Sequence, residues 1–259
     1  MANKTDSIFL TIIMPALNEE KNISSSIDDT LSAFGEFGIK GEIVVINDGS
    51  SDTTPNIIQR KMEENPEKVR MINHNKPKGL GASFWDGVDN AKGNIVCMLP
   101  GDNENEPGEI FRYIYLLENV DIVIPFVFNK GTRSFFRNFI SFVYKLVINN
   151  TFFVSLNYTN GTVLYRKSLL SEMEHRNSGF FYQTDILIRL IKRKYLFAEV
   201  PYRLKLRKEG KSKALSFHSF YKVIKGFFLL FTHIYFKKER QTINPDSVSA
   251  KRYQALNKG

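Results

Sequence analysis

Asn94-Ile95-Val96-Cys97-Met98-Leu99-Pro100-Gly101-Asp102-Asn103-Glu104-Asn105-Glu106-Pro107 is the stretch on which the reading of this chain turns. Ile95 to Leu99 is apolar without a break, as a strand covered on both faces requires. Pro100-Gly101 then ends the strand, and the turn beyond it presents acidic and amide side chains. Hard oxygen donors at a strand end suit Mg²⁺ or Mn²⁺, which take one or two carboxylates and complete their shell with substrate phosphates. Asp102 and Glu104 are the candidate metal ligands. An ordinary acidic surface loop would present the same residues, so the rest of the chain has to decide.

Outward from that stretch, short apolar runs alternate with longer mixed segments. The strands are expected at Phe9–Met14, Glu42–Asn47, Val69–Asn73, Asn94–Leu99 and Asp121–Pro125, with helices over Glu19–Phe37, Thr53–Asn65, Leu80–Ala91 and Pro107–Leu117. Such alternation implies an α/β fold with a mostly parallel central sheet covered on both faces. Ligands on these sheets bind at the carboxyl ends of the strands. The second half reads as an amphipathic helix over Phe135–Asn150, a strand over Thr162–Tyr165, a helix over Phe181–Lys194 and a strand over Phe197–Val200. With no Gly- or Ser-rich linker, residues 1–215 are expected to form one domain. Residues 216–259 are expected to add an amphipathic helix and a polar tail.

A chain of 259 residues that is 42% hydrophobic can bury a large core. Its net charge of +9 favours anionic partners. Nucleic acid would account for the charge but not for the acidic turn, so no nucleic-acid partner is expected. The lone cysteine, Cys97, lies in an apolar run and reads as core, and the polar start followed by a short apolar run does not read as a signal peptide.

Three more motifs fall at strand ends. In Met14-Pro15-Ala16-Leu17-Asn18-Glu19-Glu20 the proline is expected to stop the strand and Asn18 to cap a helix, with both glutamates in its first turn. In Asn47-Asp48-Gly49-Ser50-Ser51-Asp52-Thr53-Thr54 short polar side chains can reach a base or ribose, while Asp52 can cap the next helix. Lys78-Gly79-Leu80-Gly81-Ala82 superficially matches a dinucleotide fingerprint, but a lysine-rich spacer precedes it and it is not in the first βα unit. Its glycines are better read as allowing close helix packing, with Lys78 available to an anionic ligand.

The ordered set of four motifs resembles family 2 glycosyltransferases, which have the GT-A nucleotide-sugar fold, over roughly residues 8 to 213. The resemblance implies that Pro15, Ala16, Glu19 and Asp48 line the pocket of the donor nucleotide, with Lys78 beside it. It also implies that Asp102 is the catalytic acidic residue. The family's acidic motif is usually Asp-x-Asp; here Pro100 replaces the first aspartate, so Asp102 and Glu104 supply the oxygens.

Arg207-Lys208-Glu209-Gly210-Lys211-Ser212-Lys213 matches the Arg-x-x-Gly-x-Ser-Lys pattern of the polyprenyl-phosphate branch, similar to dolichol-phosphate mannosyltransferase. Guanidinium, ammonium and hydroxyl donors around a glycine suit phosphate. Lys130-Gly131-Thr132-Arg133-Ser134-Phe135-Phe136-Arg137 resembles the same branch. By this resemblance Arg133, Arg137, Arg207 and Ser212 bind the acceptor phosphate. Asn157 stands where relatives often have aspartate, and Asp185 stands where a hydroxyl-directed relative keeps its base.

The activity implied is inverting transfer from a GDP- or UDP-linked sugar to a polyprenyl phosphate. A phosphate monoester, with a second pKa of about 6, is already a nucleophile at neutral pH and needs cationic clamps more than a base. Two alternatives stay open: transfer to a glycan or lipid hydroxyl with Asp185 as base, and a non-catalytic nucleotide-sugar binder. The apolar run from Gly226 to Phe236 is too short to span a bilayer and is flanked by lysines. It reads as an interfacial helix, which implies a peripheral protein on the cytoplasmic face of a membrane. Homo-oligomerisation is a further possibility.

Overall fold

A computed structural model describes residues 9–129, 135–205, 217–237 and 243–257, with side chains described from 138 and from 221 in the helices that open at 135 and 217. In chain order the elements are β1 (Phe9–Ala16), α1 (Ile23–Glu36), β2 (Lys40–Asn47), α2 (Thr54–Glu64), β3 (Val69–Asn73), α3 (Leu80–Asn90) and β4 (Ile95–Met98). There follow α4 (Pro107–Phe111), a 3-10 turn (Ile114–Glu118), β5 (Ile122–Val127), α5 (Phe135–Phe152), β6 (Leu164–Arg166), α6 (Lys167–Ser171), α7 (Tyr182–Lys192), β7 (Phe197–Tyr202), α8 (Phe217–Phe236) and α9 (Val248–Leu256).

The seven strands form one sheet in the order β3-β2-β1-β4-β6-β5-β7. All neighbours are parallel except β6, which runs antiparallel to both β4 and β5. The central strands bury both faces, so successive residues feed two cores. Ile13, Val44, Ile46 and Val96 pack toward α3, α5, α7 and α8, while Ile12, Met14, Ile43, Val45 and Cys97 pack toward α1 and α4. That two-sided burial explains why these strands read as unbroken apolar runs rather than alternating ones.

Several expected boundaries shift for identifiable reasons. Pro15 does not stop β1, which continues to Ala16 in register with Asn47 of β2. The nitrogen of Pro15 faces the β4 side, where β4 has already ended at Met98, so no ladder bond is lost. Asn18 does not cap α1. It adopts a left-handed φ of 54°, its side chain accepts from Ser51 N at 2.8 Å, and Asn22 is the N-cap. The helix expected over Pro107–Leu117 divides, because after Phe111 the amides of Tyr113 and Leu116 bond three residues back, to Ile110 and Tyr113.

Candidate active site

The polar loops meet at the carboxyl end of the central strands, and β1 ties them together. The carbonyl of Ala16 accepts from Asp48 N at 2.9 Å, and that of Pro15 accepts from Gly101 N at 3.0 Å. Pro15 and Ala16 therefore fix the polar turn after β2 on one side and the acidic turn after β4 on the other. Between β1 and α1, Glu19 donates its amide to Thr54 Oγ1 (2.8 Å), and Glu20 Oε2 accepts from Thr53 Oγ1 (2.7 Å). Asp52 Oδ1 accepts from the Thr54 amide as α2 begins, but the N-cap is Thr53 and not the Asp52 expected from the sequence.

Asp48 is buried, and its carboxylate closes the loop after β3. Oδ1 accepts from Lys78 N (2.8 Å) and Oδ2 from Gly79 N (2.9 Å), while His74 Nδ1 lies 2.7 Å from Oδ1. The other ring nitrogen of His74 is 2.8 Å from Asp86 Oδ2, and Lys78 Nζ sits 3.1 Å from the same oxygen. Lys78, expected to await an anion, is thus paired with Asp86 from α3. His74 and Asp86 were not singled out in the sequence. A histidine followed by a lysine-rich loop carries no signal until the fold sets it between two carboxylates.

The glycines of this loop have separate jobs. Gly49 has φ +76° and a Cβ there would lie 2.8 Å from Lys76 C, so the turn needs glycine twice over. At Gly81 a Cβ would lie 2.6–2.7 Å from backbone atoms of Asn177, Ser178 and Gly179. Close packing, as read from the sequence, accounts for it.

The acidic turn is ordered by its own bonds. Asp102 Oδ1 accepts from Glu104 N at 3.2 Å, and Asn103 holds a left-handed φ of 54°. Asn103 Oδ1 is buried without a hydrogen-bond partner. An orphaned oxygen acceptor between two half-exposed carboxylates is what a hard cation or its water shell would satisfy, so the residues present fit Mg²⁺ or Mn²⁺. Among the described residues no group of three or more His, Cys, Asp or Glu could hold a metal alone.

The strand end of β7 runs alongside this turn. Lys205 N donates to Glu104 O (3.0 Å), and Lys205 Nζ pairs with Glu106 (2.7 Å) and Asp29 (3.0 Å). Asn129 and Leu204 bond each other reciprocally, at 2.9 and 3.0 Å. Both basic stretches of the sequence start just beyond these residues. Arg133, Arg207 and Ser212 lie outside the described residues, and Arg137 lies in α5 with its side chain undescribed.

Asp185 is displaced from the role expected of a base. It is 1% exposed on α7 and bonded to Arg189 Nε at 3.1 Å. Burial pushes its carboxyl above the usual range, against the pull of Arg189. A sealed, paired carboxylate has no path to an acceptor hydroxyl, which counts against that assignment. Asn157 instead binds Glu199 of β7, through its amide N (2.7 Å) and side chain (3.0 Å). Burial raises the Glu199 carboxyl despite these bonds.

Known proteins share this architecture and sequence. A glucosyl-3-phosphoglycerate synthase from Mycobacterium tuberculosis, solved with Mn²⁺, UDP and phosphoglyceric acid, superposes with a TM-score of 0.70 at 18% identity, covering 88% of this chain and 80% of that one. The fold is GT-A. An undecaprenyl-phosphate 4-deoxy-4-formamido-L-arabinose transferase from Edwardsiella ictaluri is 27% identical over 79% of this chain and 62% of its own length. A dodecaprenyl-phosphate galacturonate synthase from Rhizobium johnstonii is 23% identical over 65% of this chain and 51% of its own. The chain thus spans about half to three-fifths of the curated relatives it matches. The model of glycosyl transferase family 2 matches residues 11–174, well over half of the chain, and the chain belongs to that family.

Proposed function

We propose that this chain transfers a sugar, with inversion, from a GDP- or UDP-linked donor to a polyprenyl phosphate at a membrane surface. The observation that carries the reading is the shared origin of the two basic stretches. The chain enters them from Asn129 and Lys205, which are linked through Leu204, and Lys205 is bonded to the acidic turn at Glu104. Both entry points thus lie beside the acidic turn, which supports a phosphate-binding role for the residues that follow them. The relatives named for undecaprenyl- and dodecaprenyl-phosphate substrates support the same acceptor class.

In this reading Pro15, Ala16, Glu19 and the loop closed by Asp48 hold the donor nucleotide, with Lys78 at the rim. Asp102 and Glu104, with Asn103 Oδ1 beside them, would hold Mg²⁺ or Mn²⁺, which offsets the charge of the departing nucleoside diphosphate. Arg133, Arg137, Arg207 and Ser212 hold the acceptor phosphate on the opposite face of the sugar. An acceptor oxygen bonds to the anomeric carbon as the carbon–oxygen bond to the diphosphate breaks. The phosphate arrives ionised, so the burial of Asp185 costs this route nothing. Residues 1–215 carry the transfer, and residues 216–259 keep the protein peripheral on the cytoplasmic face.

The test is release of nucleoside diphosphate from a panel of nucleotide sugars, with and without undecaprenyl phosphate. Lipid-dependent release with one donor is expected, and Asp102→Asn should lower it about 100-fold or more. Release that ignores the lipid, or full activity in Asp102→Asn, would sink the reading.

A further inference from the structure

We propose that Lys205 is a positioning residue for the metal and diphosphate of the donor, bracing the acidic turn from the side away from β1. The inference rests on the donor-site half of the proposed function and adds to it a residue from the edge of the sheet. In the sheet β1 neighbours β4 on one side, while β7 lies beyond β6 and β5 on the other. The turn after β4 is tied to β1 by the bond from Gly101 N to Pro15 O. On its other side it meets the chain leaving β7. Leu204 forms an antiparallel bridge with Asn105, and Lys205 N donates to Glu104 O at 3.0 Å. Arg203 N donates to Glu109 Oε2 at 3.0 Å, and Tyr202 OH to Asn105 Oδ1 at 3.3 Å. The turn is thus held from both directions.

The Lys205 side chain adds α1 to this frame. Its Nζ lies 2.7 Å from Glu106 Oε2 and 3.0 Å from Asp29 Oδ2 of α1. The two carboxylates meet because α4 packs on α1, where the rings of Phe34 and Phe111 stack at 5.5 Å between centroids. Like charges brought together repel unless a cation stands between them. Burial opposes the charge of Lys205, but bonds from Glu106 and Asp29 outweigh it and hold the ammonium above its usual value of 10.5. The brace is therefore fully charged at neutral pH.

Global stability is not what this bridge supplies. The three side chains are 35–41% exposed, and ion pairs that open to water add little to folding. What it fixes is local. Glu106 is four residues past Asp102 and two past Glu104. Drawn onto Lys205 and α1, the Glu106 carboxylate is held back from the side where a diphosphate would sit, and Asp102, Asn103 and Glu104 keep one arrangement. Groups that hold metal-binding residues in place govern ion affinity without touching the ion.

The test is binding of Mn²⁺ to the full chain in the presence of UDP or GDP and without acceptor, read from loss of the free-ion electron paramagnetic resonance signal. Wild type should bind the ion together with one of the two nucleotides. Lys205→Met should weaken that binding about tenfold, and Lys205→Arg should keep most of it, with melting temperatures little changed. Glu106→Ala should weaken it as well. Position and charge are separated by that sign. The group of Lys205, Glu106 and Asp29 carries one net negative charge in wild type, two in Lys205→Met and none in Glu106→Ala. Were charge alone at work, the two variants would move binding in opposite directions, and that result would overturn the proposal. So would unchanged binding in Lys205→Met, or an equal loss in Lys205→Arg. Wild type that binds no ion with either nucleotide would remove the donor-site reading and this inference together. Ion binding without lipid-dependent release would remove the acceptor reading alone.

Discussion

Glu42 and Asp48 bracket β2, one near its foot and one past its end, and both carboxylates are buried. Burial works to raise the Glu42 carboxyl, but bonds from the Lys92 amide, Arg70 and Thr11 outweigh it and hold the group below its usual value of 4.5. A folded value below the unfolded one means stability that is present above about pH 4.5 and lost as pH falls through the folded value. Glu42→Gln should cost about 2 kcal/mol at pH 7 by urea unfolding, the Arg70 side being partly solvated. The gap between variant and wild type should narrow below pH 4.5. At the other end, Asp48 holds the Lys78–Gly79 loop with His74 at its side. His74→Gln should therefore raise the donor KM about tenfold with kcat little changed; a fall in kcat alone would show that His74 acts elsewhere. Asp48 and Asp102 could be found from sequence because short polar residues after an apolar run mark a strand end. His74 and Asp86 could not, since their partnership joins two elements and exists only after folding.

At the scale of elements, the loop over Asn177–Gly179 is held between two helices by glycines from each. Gly81 of α3 meets its backbone, and a Cβ at Gly226 of α8 would lie 2.8 Å from both Asn177 Nδ2 and Phe181 Cδ1. Trp85 Nε1 donates to Asn177 O, and the Arg176 guanidinium lies 4.7 Å from the Trp85 ring centroid. Gly81→Ala meets three rigid backbone atoms and should destabilise by about 2 kcal/mol, lowering the melting temperature. Gly226→Ala meets the Asn177 side chain and the fully buried Phe181 ring and should cost a similar amount; a much smaller loss would show that the Phe181 ring can shift aside. The strands of the first half were legible because burial on both faces leaves continuous apolar runs. Extension of β1 through Pro15 was not, since it depends on where the neighbouring strand stops. The helix α9 was missed because what orders it lies far away in the chain.

For the molecule as a whole, that distant partner is Asp121, fully buried at the foot of β5. Its oxygens accept from Val248 N (3.0 Å), Ser249 N (2.9 Å) and Ser249 Oγ, and Arg166 Nε lies 3.2 Å away. Ser249 Oγ in turn accepts from Leu196 N at 2.7 Å, so α9 bridges β5 and the approach to β7. Asp121→Ala removes the partner of two helix amides and a guanidinium and should cost about 3 kcal/mol in urea unfolding. A chain cut before 243 should lose a similar amount, and combining the two changes should add little, because both remove one interaction. Full additivity would mean that Asp121 matters for something other than α9. Fastening α9 at this end also sets it at the far end of the strands from the acidic turn. A fluorophore or surface tether joined beyond Leu256 would hang from the underside of the molecule, leaving the strand-end loops open to solution during immobilised binding experiments.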